Sequence, residues 1–572
     1  MRRLLLILPL LLLLFSCNNY RASRGPADWL YISPTGNNTT GDGTSGNPWQ
    51  TLAYACTQAI NGDTIYVTAG TYTETAQSAV PVGVSIYGTG ATSIITTNAA
   101  LSPIIYLSSA SEGTNGNQTI SYIQVDGDST ATSLIYVSGR SNVKIHHCTF
   151  VDAATYGVVF RGRVSTSSGA PTTYATGNEF YNNTMTSCGS YAAEGRGNLE
   201  FSGQDGFLIY NNNITQGDRG GVTHGYGIKS VINNGFSRGV KIYNNNISVP
   251  PYEGSGFDFA IEIWNQWGME IYNNTILGSV DMAGNFAAWQ DTYDYALSIH
   301  DNTIGNTVLS QYEQVTGIYL EGDCELTHIY NNYVYNVAAG VKINPIGSDS
   351  DLAYLGRREH WYNDVYIYYN IFENIGVNAS GSSSKGWGIY WLGDSYTHLV
   401  DNFNVLNNVL IGDTDATSTM WGIGLPCVGD ATNVTIRNNI VRNFDYGPTL
   451  GYLGDVGDAT VDTLSIENNC FYGNGNSNNP RYGAGFTPTN NTTQNNITSD
   501  PLFRSSGTFR LQSNSPAINA GLSVGLTSDF AGHRVPQQDT VDIGAYEYGD
   551  YLFRTPSGNL LRNANRKLMI TH

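Results

Sequence analysis

Glu200 in "NLEF", Lys229 in "GIKS" and Glu262 in "AIEI" each hold the third position of a short apolar stretch, and the three stretches follow one another along the chain. Side chains alternate along a strand, so stacking these stretches would set Glu, Lys and Glu in one outward row. Three chemistries are open to such a row. On an exposed sheet, neighbouring opposite charges neutralise one another for roughly a few tenths of a kcal/mol. Alternatively, Lys229 is a general base that removes a proton beside a carboxyl group. Flanking cations, or a Ca²⁺ held by Glu200, Asp258 and Glu262, would then stabilise the enolate. The third chemistry is glycosidic hydrolysis by Glu200 and Glu262. Two stacked strands separate their backbones by about 9.6 Å, just beyond the ~6.5–9.5 Å of inverting enzymes before the side chains lean inward. Tyr319, Lys342 and Tyr390 continue the third position, Trp264 and Glu321 face outward two residues further on, and Arg196, Arg219, His224 and Asp258 stand in the intervening segments.

A repeat would position such a row. "GFLIYNNNIT" (206–215), "GVKIYNNNIS" (239–248) and "GMEIYNNTIL" (268–277) are copies of one unit. Aligned on the second Asn, the series runs Asn183, Asn212, Asn245, Asn274, Asn302, Asn332, Asn370, Asn408, Asn439 and Asn469, at intervals of 28 to 38 residues. A period of that size predicts an elongated solenoid in which each unit buries its apolar side against its neighbours. Strand alternation turns Ile209, Ile242 and Ile271 inward and Tyr210, Tyr243 and Tyr272 outward. Asn at the following turn carries both a donor and an acceptor, so copies about 4.8 Å apart hydrogen-bond into a ladder. The tyrosine row, continued by His300, Tyr330 and Tyr368, has two readings. One is a sugar-stacking platform; the other, given more weight, is cross-strand aromatic stacking worth ~0.2–1 kcal/mol per pair.

The net charge of −19, from 27 Lys and Arg against 46 Asp and Glu, argues against a nucleic-acid partner. At the N-terminus, "MRRLLLILPLLLLLFSC" sets two Arg before an apolar run that is too short to span a bilayer comfortably, so it reads as an export signal. Its end, Leu14-Phe15-Ser16-Cys17, resembles a bacterial lipoprotein box, which implies cleavage before Cys17 and lipidation of its thiol. Cys56, Cys148, Cys188, Cys324, Cys427 and Cys470 show neither metal-ligand spacing nor a disulfide framework, and are expected mostly as small core residues.

The repeats, with "NPWQTLAYACTQAI" near the start and "DPLF", "FRLQSNSPAINAG" and "VDIGAYEYG" near the end, resemble a right-handed parallel β-helix of the pectin-lyase-like superfamily. The N-terminal stretch has Trp49, Leu52, Ala53, Cys56 and Ile60 at a helical period suited to capping the first rung. The resulting division is a signal peptide (1–16), a tether (17–27), a cap and first rung (28–70), the β-helix (71–499), C-terminal rungs and cap (500–549) and a basic tail (550–572). In this family substrate commonly lies on the first sheet, walled by the loops before it, here "SCGSYAAEGRG", "QGDRGGVTHGYG" and "VPPYEGSGFD". The resemblance therefore implies an all-β, monomeric lipoprotein of the cell envelope, placed at the outer membrane, that acts on or binds an extracellular polysaccharide. β-Elimination, with Lys229 taking the proton alpha to a uronate carboxyl, is placed ahead of hydrolysis by Glu200 and Glu262. Arg196, Arg219, His224, Trp264, Tyr319 and Glu321 would contact substrate. A non-catalytic carbohydrate-binding or adhesin-like protein is the rival class.

Overall fold

The computed structural model describes residues 28–163, 173–188, 196–217, 225–231, 236–249, 258–264, 266–283, 294–306, 316–321, 324–344, 360–376, 386–391, 398–416, 419–425, 430–450, 460–476, 478–482, 488–505 and 507–549, with 553–554 and 560–561. The Cys17 signal, the tether, Arg219, His224, Cys427 and most of the tail lie outside them, as does the side chain of Asp258. Among the described residues no helix is long and apolar enough to cross a membrane.

Three long, all-parallel sheets of 14, 17 and 14 strands run the length of the chain, and together they form a right-handed β-helix. One rung shows the path. Gly225–Ser230 lies in the first sheet, Lys241–Tyr243 in the second, Asn246–Ser248 in the third, and Asp258–Trp264 re-enters the first sheet one rung on. The core fills the space between the sheets with the expected alternation: Ile209, Ile242, Ile271 and Ile299 are fully buried and register one on the next.

Both asparagines of Ile-Tyr-Asn-Asn have work, and the work differs. The second builds the ladder. Asn212 donates its amide to Asn245 Oδ1 at 2.9 Å, Asn245 to Asn274 at 3.0 Å, and the series continues to Asn469 and on to Asn496. Each Oδ1 also accepts the backbone N–H of the preceding ladder residue, as Asn245 does from Asn212 at 2.9 Å. The first asparagine turns the corner in left-handed backbone, with φ of 56° at Asn211 and Asn244 and 54° at Asn273. Asn tolerates that region better than other non-glycine residues, so the ladder and the bend each require their own Asn.

Outside this corner the tyrosines stack. From Tyr181 through Tyr210, Tyr243, Tyr272, His300 and Tyr330 to Tyr368, ring centroids lie 4.6–5.1 Å apart and planes differ by 1–6°. Each interior ring has both faces against its neighbours, so no sugar can stack on it. The column is cross-strand packing.

The N-terminal helix is Leu52–Gln58, with Thr51 accepting from the Tyr54 N–H at its start. Trp49, Leu52 and Cys56 are buried as their spacing predicts. Ile60 departs from the expectation and is 51% exposed. The helix stops at Gln58, and Asp63 accepts the Ile60 N–H at 2.9 Å, turning the chain into the next strand before Ile60 can face the core. At the other end the chain folds back along the corner. Asn438 Nδ2 donates to the Leu522 carbonyl, Asn468 Nδ2 to that of Ala520, and the Gly544 N–H to that of Asn438. Phe509, Leu511, Ala517, Val541 and Ile543 there pack on Tyr369, Ile371, Val409 and Ile440. Cys56, Cys148, Cys188, Cys324 and Cys470 are all buried free thiols.

Candidate active site on the first sheet

Strand register sets the row. Glu200 pairs with Lys229, Lys229 with Glu262, Glu262 with Asp281, Asp281 with Tyr319, Tyr319 with Lys342, and Lys342 with Tyr390. Every third position anticipated from the repeat falls on this line, while Trp264 and Glu321 register with one another through Ala283 two residues further along. Asp281 was not anticipated, because its strand, Ser279–Ala283, has no Gly-Ile opening and follows the third-sheet strand Thr275–Leu277 after Gly278 alone. Only its rung-to-rung pairing reveals it.

Charges along the row pair off unevenly. Glu200 is fully buried and binds Arg161, whose Nη2 lies 2.8 Å from its Oε2. Lys229 instead pairs with Glu262, and its ammonium sits 3.6 Å from the centre of the Tyr226 ring. The Lys229 side chain is 11% exposed and that of Glu262 is 6%. Burial raises the Glu262 carboxyl above its ordinary value, and the charge and hydrogen bond of Lys229 and the Trp264 indole pull it back. With Glu200 and Glu262 each engaged by a cation, the pair does not fit the Ca²⁺ set expected with Asp258. Among the described residues no group of three His, Cys, Asp or Glu is arranged to hold a metal.

Beyond this pair lies an acid dyad. Asp281 is fully buried, and Glu321, diagonal to it on the next rung, is partly exposed. Asp281 is a near neighbour of the Glu321 carboxyl and acts to lower its pKa. Burial, then the charge of Glu262, push Glu321 up to about 7, against the opposing pull of Lys342 and of the Asp281 hydrogen bond. Lys342 lies 4.7 Å from the centre of the Tyr319 ring, and burial lowers its pKa while Glu321 and Asp281 act to raise it. Glu262 and Glu321 are two rungs apart, about 9.6 Å along the axis. Along the row Lys229, Glu262, the Asp281–Glu321 pair and Lys342 thus follow one another.

Of the other expected contacts, Arg196 lies one residue before the partner of Tyr226, with its guanidinium 5.8 Å from the Tyr156 ring. Tyr319 is buried in an outward aromatic cluster with Tyr226 and Phe259. Trp264 is partly exposed, and its backbone N–H donates to Ser230 Oγ at 2.6 Å. A cavity of about 410 Å³ lined by Tyr333, Tyr335, Glu373 and Asn374 opens on the third sheet instead, away from this chemistry.

No protein-family model matches the chain, and no match is found among curated protein sequences. Solved structures similar to it include the alginate lyase from Paenibacillus sp. str. FPU-7, at 12% identity over 64% of this chain and 98% of that one, with a TM-score of 0.35. XylC in complex with xylose gives 11%, 91% and 99%, with 0.37. The tailspike protein of E. coli bacteriophage HK620 in complex with a pentasaccharide gives 11%, 73% and 76%, with 0.44. Likenesses this distant decide nothing about the chemistry.

Proposed function

We propose that the chain binds an extracellular polysaccharide along the first sheet and hydrolyses it, with Glu321 as general acid and Glu262 as the opposing carboxylate. The observation that carries this is the placement of the partly exposed Glu321 beside buried Asp281 and near Glu262, where burial and the Glu262 charge push its carboxyl up to about 7. A glycosidase needs one carboxyl protonated and another ionised at working pH, and environments that separate their proton affinities supply that. Lys229 faces Glu262 and opposes the rise that burial imposes on its carboxyl. Glu321 keeps a proton because burial and the Glu262 charge oppose its ionisation. The two backbones are about 9.6 Å apart along the axis and offset by two residues along the strand, so an inverting geometry requires both side chains to lean toward one another.

β-Elimination by Lys229 is the second reading. Its support is the near-complete burial of the Lys229 side chain, which a neutral amine base requires. Against it, Glu262 and the Tyr226 ring both stabilise the ammonium. In the same proposal Cys17 carries a lipid that holds the β-helix at the cell envelope. A panel of polysaccharides separates the readings. Hydrolysis yields reducing ends without new ultraviolet absorbance, whereas elimination from a uronate yields an absorbing unsaturated product. Absorbing product lost in Lys229→Ala but kept in Glu321→Gln would overturn the hydrolytic assignment.

A further inference from the structure

Among the described residues the exposed large apolar side chains are Trp29 (52%), Ile60 (51%), Val82 (37%), Tyr87 (38%) and Tyr482 (38%). Four of the five belong to the first rungs, and backbone contacts bring them together. The turns after Ile60 and after Val82 stack, with the Gly62 N–H donating to the Gly83 carbonyl at 2.9 Å. Strand Trp29–Ile32 starts against the first of these turns, where Thr64 N–H donates to Asp28 O and Asp28 N–H to Asp63 Oδ1. Trp29 then meets Tyr66 and Tyr87 edge-on, each at 5.9 Å with planes 63° and 84° apart. These rings do not form the sealed face-to-face column seen further along.

Among the described residues charge is sparse on this face, with Asp28 partly exposed beside Trp29. The outward positions of its first three strands are Trp29 and Tyr31, Thr64 and Tyr66, Ser85 and Tyr87. Lys144 and Glu179 come only on later rungs. Asp63, the nearest acid at the turn, is buried and accepts the Asp28 and Ile60 N–H groups. A surface of Trp, Tyr and aliphatic side chains with so little charge suits the boundary between lipid headgroups and acyl chains.

We propose that this N-terminal patch seats on a lipid bilayer, a proposal that rests on the lipidation of Cys17 for its anchor. Ten residues separate Cys17 from Asp28. Fully extended they reach about 35 Å, so the first strand stays close to the surface that holds the lipid. The chain enters the β-helix inside the patch, which places the patch at the shortest distance from the anchor. Seating it would fix the orientation of the solenoid and direct the first-sheet row relative to the membrane.

The test reconstitutes the full lipidated chain into phosphatidylethanolamine–phosphatidylglycerol vesicles containing brominated acyl chains and follows tryptophan quenching. Of the nine Trp, only Trp29 lies in the patch, so quenching should fall to the vesicle-free level in Trp29→Phe. Ile60→Ser/Val82→Ser should keep the chain on the vesicles through its lipid yet lower Trp29 quenching. In the unlipidated Cys17→Ser chain, the same double substitution should reduce vesicle flotation about tenfold, as expected for losing two apolar contacts. Equal quenching in the parent and Trp29→Phe would overturn the proposal while leaving the anchor intact. So would protection of Trp29 from soluble iodide by a second copy of the chain or by oligosaccharide rather than by vesicles. If Cys17→Ser leaves membrane partition unchanged, the anchor fails, and flotation of the unlipidated chain alone decides the patch.

Discussion

Replacing Asn245 by Leu removes one step of the ladder while keeping side-chain size close. In the native chain Asn245 Oδ1 accepts from both Asn212 N–H and Asn212 Nδ2, each at 2.9 Å, and its own Nδ2 donates to Ile209 O, Tyr243 O and Asn274 Oδ1. Asn212 Nδ2 retains Phe180 O as an acceptor, and Asn274 Oδ1 still receives the backbone N–H of residue 245. The group left without a partner is therefore the buried Asn212 N–H, while the Ile209 carbonyl loses the amide but keeps its place in the parallel ladder. At ~1–3 kcal/mol for a buried group left unsatisfied, the loss comes to about 1–3 kcal/mol. Urea unfolding reads the global part. Amide hydrogen exchange reads the local part, because Asn212 should lose protection ahead of amides several rungs away. A solenoid contacts only adjacent rungs, so the damage should stay within one or two of them. A loss of stability under about 0.5 kcal/mol, with Asn212 protection unchanged, would refute the reasoning, since the ladder would then carry no buried hydrogen-bond energy.

Glu321→Gln should lower kcat about 10²–10⁴-fold with little change in binding, and the parent activity should fall as pH rises through about 7, where the general acid loses its proton. A pH profile flat from 6 to 8 would remove Glu321 from that role. Lys229→Met leaves Glu262 buried without its cation and should cost about 3–5 kcal/mol, most of it recovered in Lys229→Met/Glu262→Gln; urea unfolding of both variants measures this, and a neutral single variant would refute the pairing. In the C-terminal cap, burial pushes Asp542 up to about 6 and Glu547 to about 7, above their unfolded values of about 4. The folded cap thus binds more protons than the unfolded chain between those limits, and its stability should decline as pH rises from about 4 through about 7. Hydrogen exchange over 541–548, corrected for intrinsic rates, should show greater protection at pH 5 than at pH 8, and the reverse order would contradict it.

Much of the architecture was legible in the chain because it is written once per rung. The period, the inward Ile, the ladder Asn and the outward line from Glu200 through Lys229 and Glu262 to Tyr319, Lys342 and Tyr390 all follow from local alternation repeated in register. Local pattern also placed the cap helix, although not its end, because the Asp63 contact that turns Ile60 outward comes from beyond the helix. The first Asn of each pair carried no visible purpose until the corner showed left-handed backbone there. What only the tertiary structure decided is which charges meet. Glu200 reaches back a rung to Arg161, leaving Lys229 to Glu262, and the choice depends on how side chains lean across an approximately 4.8 Å rung spacing. Asp281 enters the row through a strand with none of the repeat's marks, and its burial beside Glu321 creates the dyad. A carboxyl's proton affinity is set by the groups and the solvent around it, and those are properties of packing rather than of residue order.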